Sequence, residues 1–130
     1  MSTRKQDDPP SRVRAVRGAT VVPADDPGAI VAATAELLRA MLARNDLAVD
    51  DLVSVIFTST EDLTAEFPAS AARTLGIADI PLLCAREIPV PGALARCVRV
   101  LLHCYTAKER GALRHVYVGE AQRLRDDLPQ

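Results

Sequence analysis

The sequence predicts an α+β domain: a mixed sheet of about five strands with two helices on one face. Three observations predict it. Strand-like and helix-like stretches alternate in the first half of the chain, and three further strand-like runs fill the second half. No internal repeat or low-complexity segment competes with that reading. Finally, 130 residues at 48% hydrophobic composition suit one core and not two.

Residues 1–11 combine charge with Pro9-Pro10 and offer nothing to bury, so they are expected to form a mobile tail, with a single domain over residues 12–130. "RVRAVRGAT" alternates and reads as a strand that stops in a turn at Gly18, with Arg17 at its end. "ADDPGAIVAATAELLRAMLARN" has the marks of the main helix. Asp26 suits the N-cap and Pro27 the first turn; Ile30, Ala33, Leu37 and Met41 share a face, and Asn45 is a stop. "LVSVIFTST", from Leu52, is a buried strand. A loop follows, then a short helix from Pro68 that ends at Gly76. "PLLCAREI" is a third strand, and "PVPGAL" breaks it from a fourth, "CVRVLLHCYT". In the fourth, Val98, Val100, Leu102 and Cys104 face one way, and Arg99, Leu101 and His103 the other. "LRHVYVGEAQRL" is the fifth strand. One sheet face is left without a cover.

Composition narrows the chemistry. A net charge of −1, with acids and bases intermixed, gives no basic field for nucleic acid. The bases are 14 Arg against 2 Lys, which suits bidentate recognition of carboxylate or phosphate, although GC-rich coding explains most such enrichment. Cys84, Cys97 and Cys104 are odd in number, lie in apolar runs and form no CxxC pair, so they read as reduced, buried thiols, with no metal site. No apolar run approaches the roughly 18 residues of a membrane span, and the polar N-terminus lacks a signal-like core; the expected location is the cytoplasm.

His103 and His115 both fall in predicted strands and read as structural, which leaves no base for a Ser or Cys nucleophile. No P-loop or G-x-G-x-x-G is present. The Asp25-Asp26, Asp50-Asp51 and Asp126-Asp127 pairs lie in loops or caps. What remains is a set of strand-end arginines with one acid, Glu87, one Tyr and one Cys. That set can hold an anion and shape a field around it without moving a proton. Glu87 and Arg99 are isolated charges in apolar strands, where an unpaired charge is costly. They pair with each other or are completed by a ligand.

Six landmarks in order, "RGAT" at 17–20, "FPA" at 67–69 followed by Arg73, "C..E" from Cys84 to Glu87, "CVRV" around Arg99, "RHVY" ending at Tyr117 and "LR.DL" from Leu124, resemble the bacterial monofunctional chorismate mutases of the trimeric, pseudo-α/β-barrel class. The resemblance runs from about Val13 to Leu128. It implies a homotrimer with active sites between subunits, and a cofactor-free rearrangement of chorismate to prephenate in phenylalanine and tyrosine biosynthesis. It places Arg99 on the ether oxygen and the enolpyruvyl carboxylate, and Glu87 and Cys84 on the ring hydroxyl. Arg17 and Tyr117 would hold the enolpyruvyl carboxylate. From the neighbouring subunit, Phe67, Ala69 and Arg73 would line the far side, with Leu124 and Arg125 near the mouth. The chain departs from the family pattern at Ser70, where Lys is common, and at Leu83, where a small polar residue is common. Because Cys84 and Glu87 are three apart, a shared role for both needs a bulge or a strand end near Arg86. Two other readings are a trimeric imine deaminase, which would activate water, and a non-catalytic trimer that binds small anions.

Overall fold

The computed structural model describes residues 10–124. Its five strands are β1 (Arg12–Val21), β2 (Leu52–Ser59), β3 (Leu82–Arg86), β4 (Cys97–Thr106) and β5 (Val116–Tyr117). They form one sheet in the order β3-β2-β4-β1-β5. β4 runs antiparallel to both its neighbours, and the outer pairs β2/β3 and β1/β5 are parallel. The helices are α1 (Pro27–Arg44) and a single turn, α2 (Ser70–Arg73).

α1 begins and ends where its chemistry directs. The Asp26 carboxylate accepts from the Ala29 N–H at 2.9 Å, Pro27 follows, and Asn45 closes the helix. Ile30, Leu37, Leu38 and Met41 are fully buried against the sheet, while Ala33 is only half-buried. The sheet meets them with Val16, Val55, Phe57, Val98, Val100, Leu102 and Cys104. Asn45 also reaches across the fold: its side-chain amide donates to the carbonyls of Met41 and Arg114 and accepts from the Arg114 N–H, joining the end of α1 to the approach to β5.

Three expectations are corrected. Gly18 does not end β1, which runs on to Val21. A Cβ at Gly18 would lie 2.5 Å from the Met41 sulfur and 3.1 Å from a Leu37 methyl, so the glycine lets α1 sit close to the strand. The fifth strand is two residues long; Gly119 adopts a positive φ of 57°, and Gly119–Leu124 coils into 3₁₀ turns. His115 accordingly lies just before that strand and not within it.

β3 ends at Arg86, the strand end that the spacing of Cys84 and Glu87 allows, and a bulge lies elsewhere, in β2. Leu52 pairs with Cys104 but Ser54 pairs with His103, so Val53 is an extra residue. The extra residue reverses the parity of the strand. It allows Leu52, Val55 and Phe57 all to be buried, while Ser54, Ile56 and Thr58 turn to the other face. In β3, by contrast, the pairing with β2 is regular from Leu82 to Arg86 and continues into the Glu87 N–H, which donates to the Ser59 carbonyl at 3.0 Å.

Opposite α1, the sheet presents Arg17, Ile56, Thr58, Leu83, Arg99, Leu101, His103 and Tyr105. No helix among the described residues covers this face. Val13, Leu83 and Tyr105 are each half or more exposed.

Candidate active site

On the uncovered face, β4 is the central strand and carries Arg99. β1 lies beside it with Ala19 opposite Arg99, and β2 lies on the other side with Thr58 opposite Arg99. Glu87 enters from the end of β3, one strand further out. A hollow of about 220 Å³ is lined by Arg17, Gly18, Ile56, Thr58, Glu87, Arg99, Leu101 and Tyr117. A second, of about 300 Å³, lies between the same Glu87 and Arg99 and the residues Ile88, Val90, Leu94, Cys97 and Leu124. The two hollows meet at the charged pair.

Arg99 Nε lies 3.6 Å from Glu87 Oε2, with the Arg99 side chain half exposed and the Glu87 side chain about three-quarters buried. That separation is an ion pair, longer than the 2.7–2.9 Å of a tight charge-assisted hydrogen bond. The same Oε2 accepts a hydrogen bond from the Thr58 hydroxyl. Tyr117 is packed with Ala19, Cys97 and Ala121 in a small apolar cluster that Leu94 and Leu124 border, so its ring is held at the wall of the hollow. Burial pushes the Cys97 thiol above its ordinary pKa, with the nearby Arg99 opposing, and burial does the same to Cys104. Neither is set up as a thiolate nucleophile.

The histidines are structural in their contacts. His115 is buried and its Nδ1 accepts the Arg17 backbone N–H at 2.9 Å, while His103 Nδ1 lies 3.2 Å from the Ser54 hydroxyl. The Arg17 contact ties the backbone of a site residue to the approach to β5.

Of the residues singled out in the sequence, Arg17, Glu87, Arg99, Tyr117 and Leu124 converge here. Cys84 does not: it pairs with Phe57 and follows it to the α1 side of the sheet, as strict alternation requires. It opens instead on a separate hollow of about 320 Å³ with Leu63, Glu66, Phe67 and Pro68. Leu83 pairs with Ile56 on the uncovered face and is 60% exposed. Phe67, 69% exposed, lines the same hollow as Cys84, and Ala69, Ser70 and Arg73 follow it into α2, whose Ala71 and Ala72 are buried in the core with α1; none of the four lines the Glu87–Arg99 hollows. The Ser70 hydroxyl donates to Glu66 Oε1 at 3.1 Å, and the Phe67 N–H donates to the same oxygen at 2.8 Å. Arg125 lies outside the described residues, as does most of the expected N-terminal tail. Thr58 and Ile56 were not singled out in the sequence. Their place in the wall depends on the β2 bulge and on which strand neighbours β4, which no local pattern declares.

The family model for chorismate mutase type I matches residues 13–128. The chain is 53% identical over 117 residues to the chorismate mutase AroH of Thermus thermophilus, covering 89% of this chain and 96% of that protein. It is 37% identical over 117 residues to the chorismate mutase AroH of Bacillus subtilis, covering 89% and 92%. Among solved structures, a chorismate mutase from Clostridium thermocellum superposes with a TM-score of 0.83 at 45% identity, over 85% of this chain and 98% of that one. These likenesses leave the imine-deaminase and non-catalytic readings without support. By the family model's match along nearly the whole domain, the identity to these relatives and the likeness in fold, the chain belongs to the chorismate mutase type I family.

Proposed function

We propose that this chorismate mutase, an isomerase, rearranges chorismate to prephenate in a site completed between the subunits of a homotrimer. One chain supplies Arg17, Glu87, Arg99 and Tyr117. The next supplies Phe67, Ala69, Ser70 and Arg73. The observation behind this reading is the separation of the two sets: the first surrounds a hollow open on the uncovered sheet face, and the second lies away from it, with Phe67 beside Cys84 at another hollow and α2 packed against α1. A second copy set against the apolar residues Val13, Leu83 and Tyr105 would cover that face and can bring the second set to the first.

In the rearrangement the C–O bond of the ether breaks as a C–C bond forms to the ring, within one molecule, and the ether oxygen gains negative charge on the way. No proton is transferred and no cofactor takes part. Arg99 donates to that oxygen and to the enolpyruvyl carboxylate with its planar fork. Arg17 and Tyr117 hold the carboxylate, and Glu87 accepts from the ring hydroxyl. The 3.6 Å gap between Arg99 and Glu87 suits this division, because neither group is closed off by the other. Cys84, expected beside Glu87, lines the hollow that Phe67 also lines, so in this reading it belongs with the set supplied by the neighbouring chain. The site works by electrostatic stabilisation that is already in position before the bond breaks.

Complementation tests the shared site. Arg99→Ala and Arg73→Ala are each expected to be nearly inactive as homotrimers. Co-assembled one to one, they form a native pair of half-sites at about a quarter of the interfaces by random mixing, and loss of chorismate absorbance recovers to about that fraction of the wild-type rate. Mixed trimers that show no recovery contradict the shared site, as does a monomeric mass by light scattering.

A further inference from the structure

We propose that Thr58 is a positioning residue for the reaction: its hydroxyl fixes the Glu87 carboxylate so that Oε2 is held by the protein and Oε1 is presented to the substrate. The inference rests on the proposed role of Glu87 and adds to it a residue without which that carboxylate is not aimed.

Thr58 stands on β2 between the strands that carry the two charges, opposite Arg99 on β4 and opposite Ala85 on β3, two residues before Glu87. The β2 bulge at Val53 puts Thr58 on the uncovered face, and the side chain lines the same hollow as Glu87 and Arg99. Its hydroxyl donates to Glu87 Oε2, the oxygen that Arg99 Nε approaches at 3.6 Å. Among the described residues no hydrogen bond reaches Oε1.

Glu87 has reason to need such a partner. It lies one residue past the end of β3, before the Ile88–Leu94 loop, so its backbone is secured by one ladder bond, to Ser59. A glutamate side chain has three rotatable bonds, and ordering it costs entropy. The Arg99 contact is too long and too exposed to hold it. A hydroxyl on a β-branched residue of β2, a strand paired on both sides, is itself well ordered and is a neutral donor. It orients the carboxylate without adding a second cation to compete with Arg99. The hydroxyl spends its only proton on Glu87, so Thr58 acts on substrate through Glu87.

The test is a set of variants in the full-length enzyme: Thr58→Val, which keeps the branching and removes the hydroxyl; Thr58→Ser, which keeps the hydroxyl; Glu87→Gln; and Thr58→Val with Glu87→Gln. Thr58→Val is expected to lower kcat/KM about tenfold or more, typical of removing a hydrogen bond to a charged group. Thr58→Ser should stay within about threefold of wild type. On the Glu87→Gln background, Thr58→Val should cost less than about twofold, because the group it positions is already lost. A Thr58→Val enzyme with near-wild-type kcat/KM overturns the inference, as does an equal cost on both backgrounds, which would make Thr58 a packing residue. If Thr58→Val does not fold, Thr58→Ala against Thr58→Ser makes the same comparison. A Glu87→Gln enzyme with wild-type kcat/KM would instead refute the role of Glu87 itself, and the inference with it.

Discussion

Arg99 Nε and Glu87 Oε2 face each other at 3.6 Å across the intervening strand β2, near enough to attract and too far to form a closed hydrogen bond. A pair of this kind, with one partner half exposed, contributes at most about 1 kcal/mol to stability. Glu87→Gln is therefore expected to leave the thermal midpoint nearly unchanged while lowering kcat/KM by more than tenfold. A variant that loses several kcal/mol of stability would make the pair a structural strut.

Asp25 does a different job in the loop between β1 and α1. Its carboxylate accepts from the Thr64 hydroxyl at 2.8 Å, the Thr64 N–H at 2.9 Å and the Ala65 N–H at 3.0 Å, and so pins the loop that leads to Phe67. The Thr64 hydroxyl, and then its N–H, hold the Asp25 carboxyl below the ordinary value of 3.8. A carboxyl whose pKa is lower folded than unfolded stabilises the fold above the unfolded value, and that contribution is lost as the pH falls through the folded one. Wild type should thus be more stable than Asp25→Asn at pH 6, with the difference shrinking below about pH 4. A stability gap that persists unchanged at pH 2 contradicts this account of the loop.

Much of this fold was legible because its signals are local. The span of β4, the caps of α1 and the two-sidedness of Arg99 against Val98 and Val100 follow from alternation, N-cap chemistry and helical spacing. Gly18 was misread because its meaning is tertiary: it clears space for Met41 and does not turn the chain. The bulge at Val53 has no local signature for a similar reason, since it is defined by the partner strand. In the site, Arg17, Glu87, Arg99 and Tyr117 were picked out by residue type and landmark. Thr58 was passed over, because a threonine in a strand is ordinary until its neighbour across the sheet is known.

Ser70 offers a separate check on the far side of the site. Its hydroxyl donates to Glu66 at the start of α2, and in the proposed trimer it stands on the rim. Ser70→Lys adds a cation there that acts on the bound substrate and the transition state alike, so KM should fall by up to about fivefold with kcat within about twofold. A large rise in kcat would move this position from the rim to the reacting bond.

The most direct test of the central claim is kcat for Arg99→Ala and Arg99→Lys, measured on protein of unchanged circular dichroism and assembly mass. If Arg99 meets charge that exists on the ether oxygen only while the bond breaks, Arg99→Ala should lower kcat by about 10²- to 10³-fold or more, as for loss of a preorganised oxyanion donor. Arg99→Lys should recover little, because a point ammonium cannot serve the ether oxygen and the carboxylate together. Near-normal kcat in either folded variant, with the loss confined to KM, would contradict the account and leave Arg99 a binding group or an ion-pair partner of Glu87.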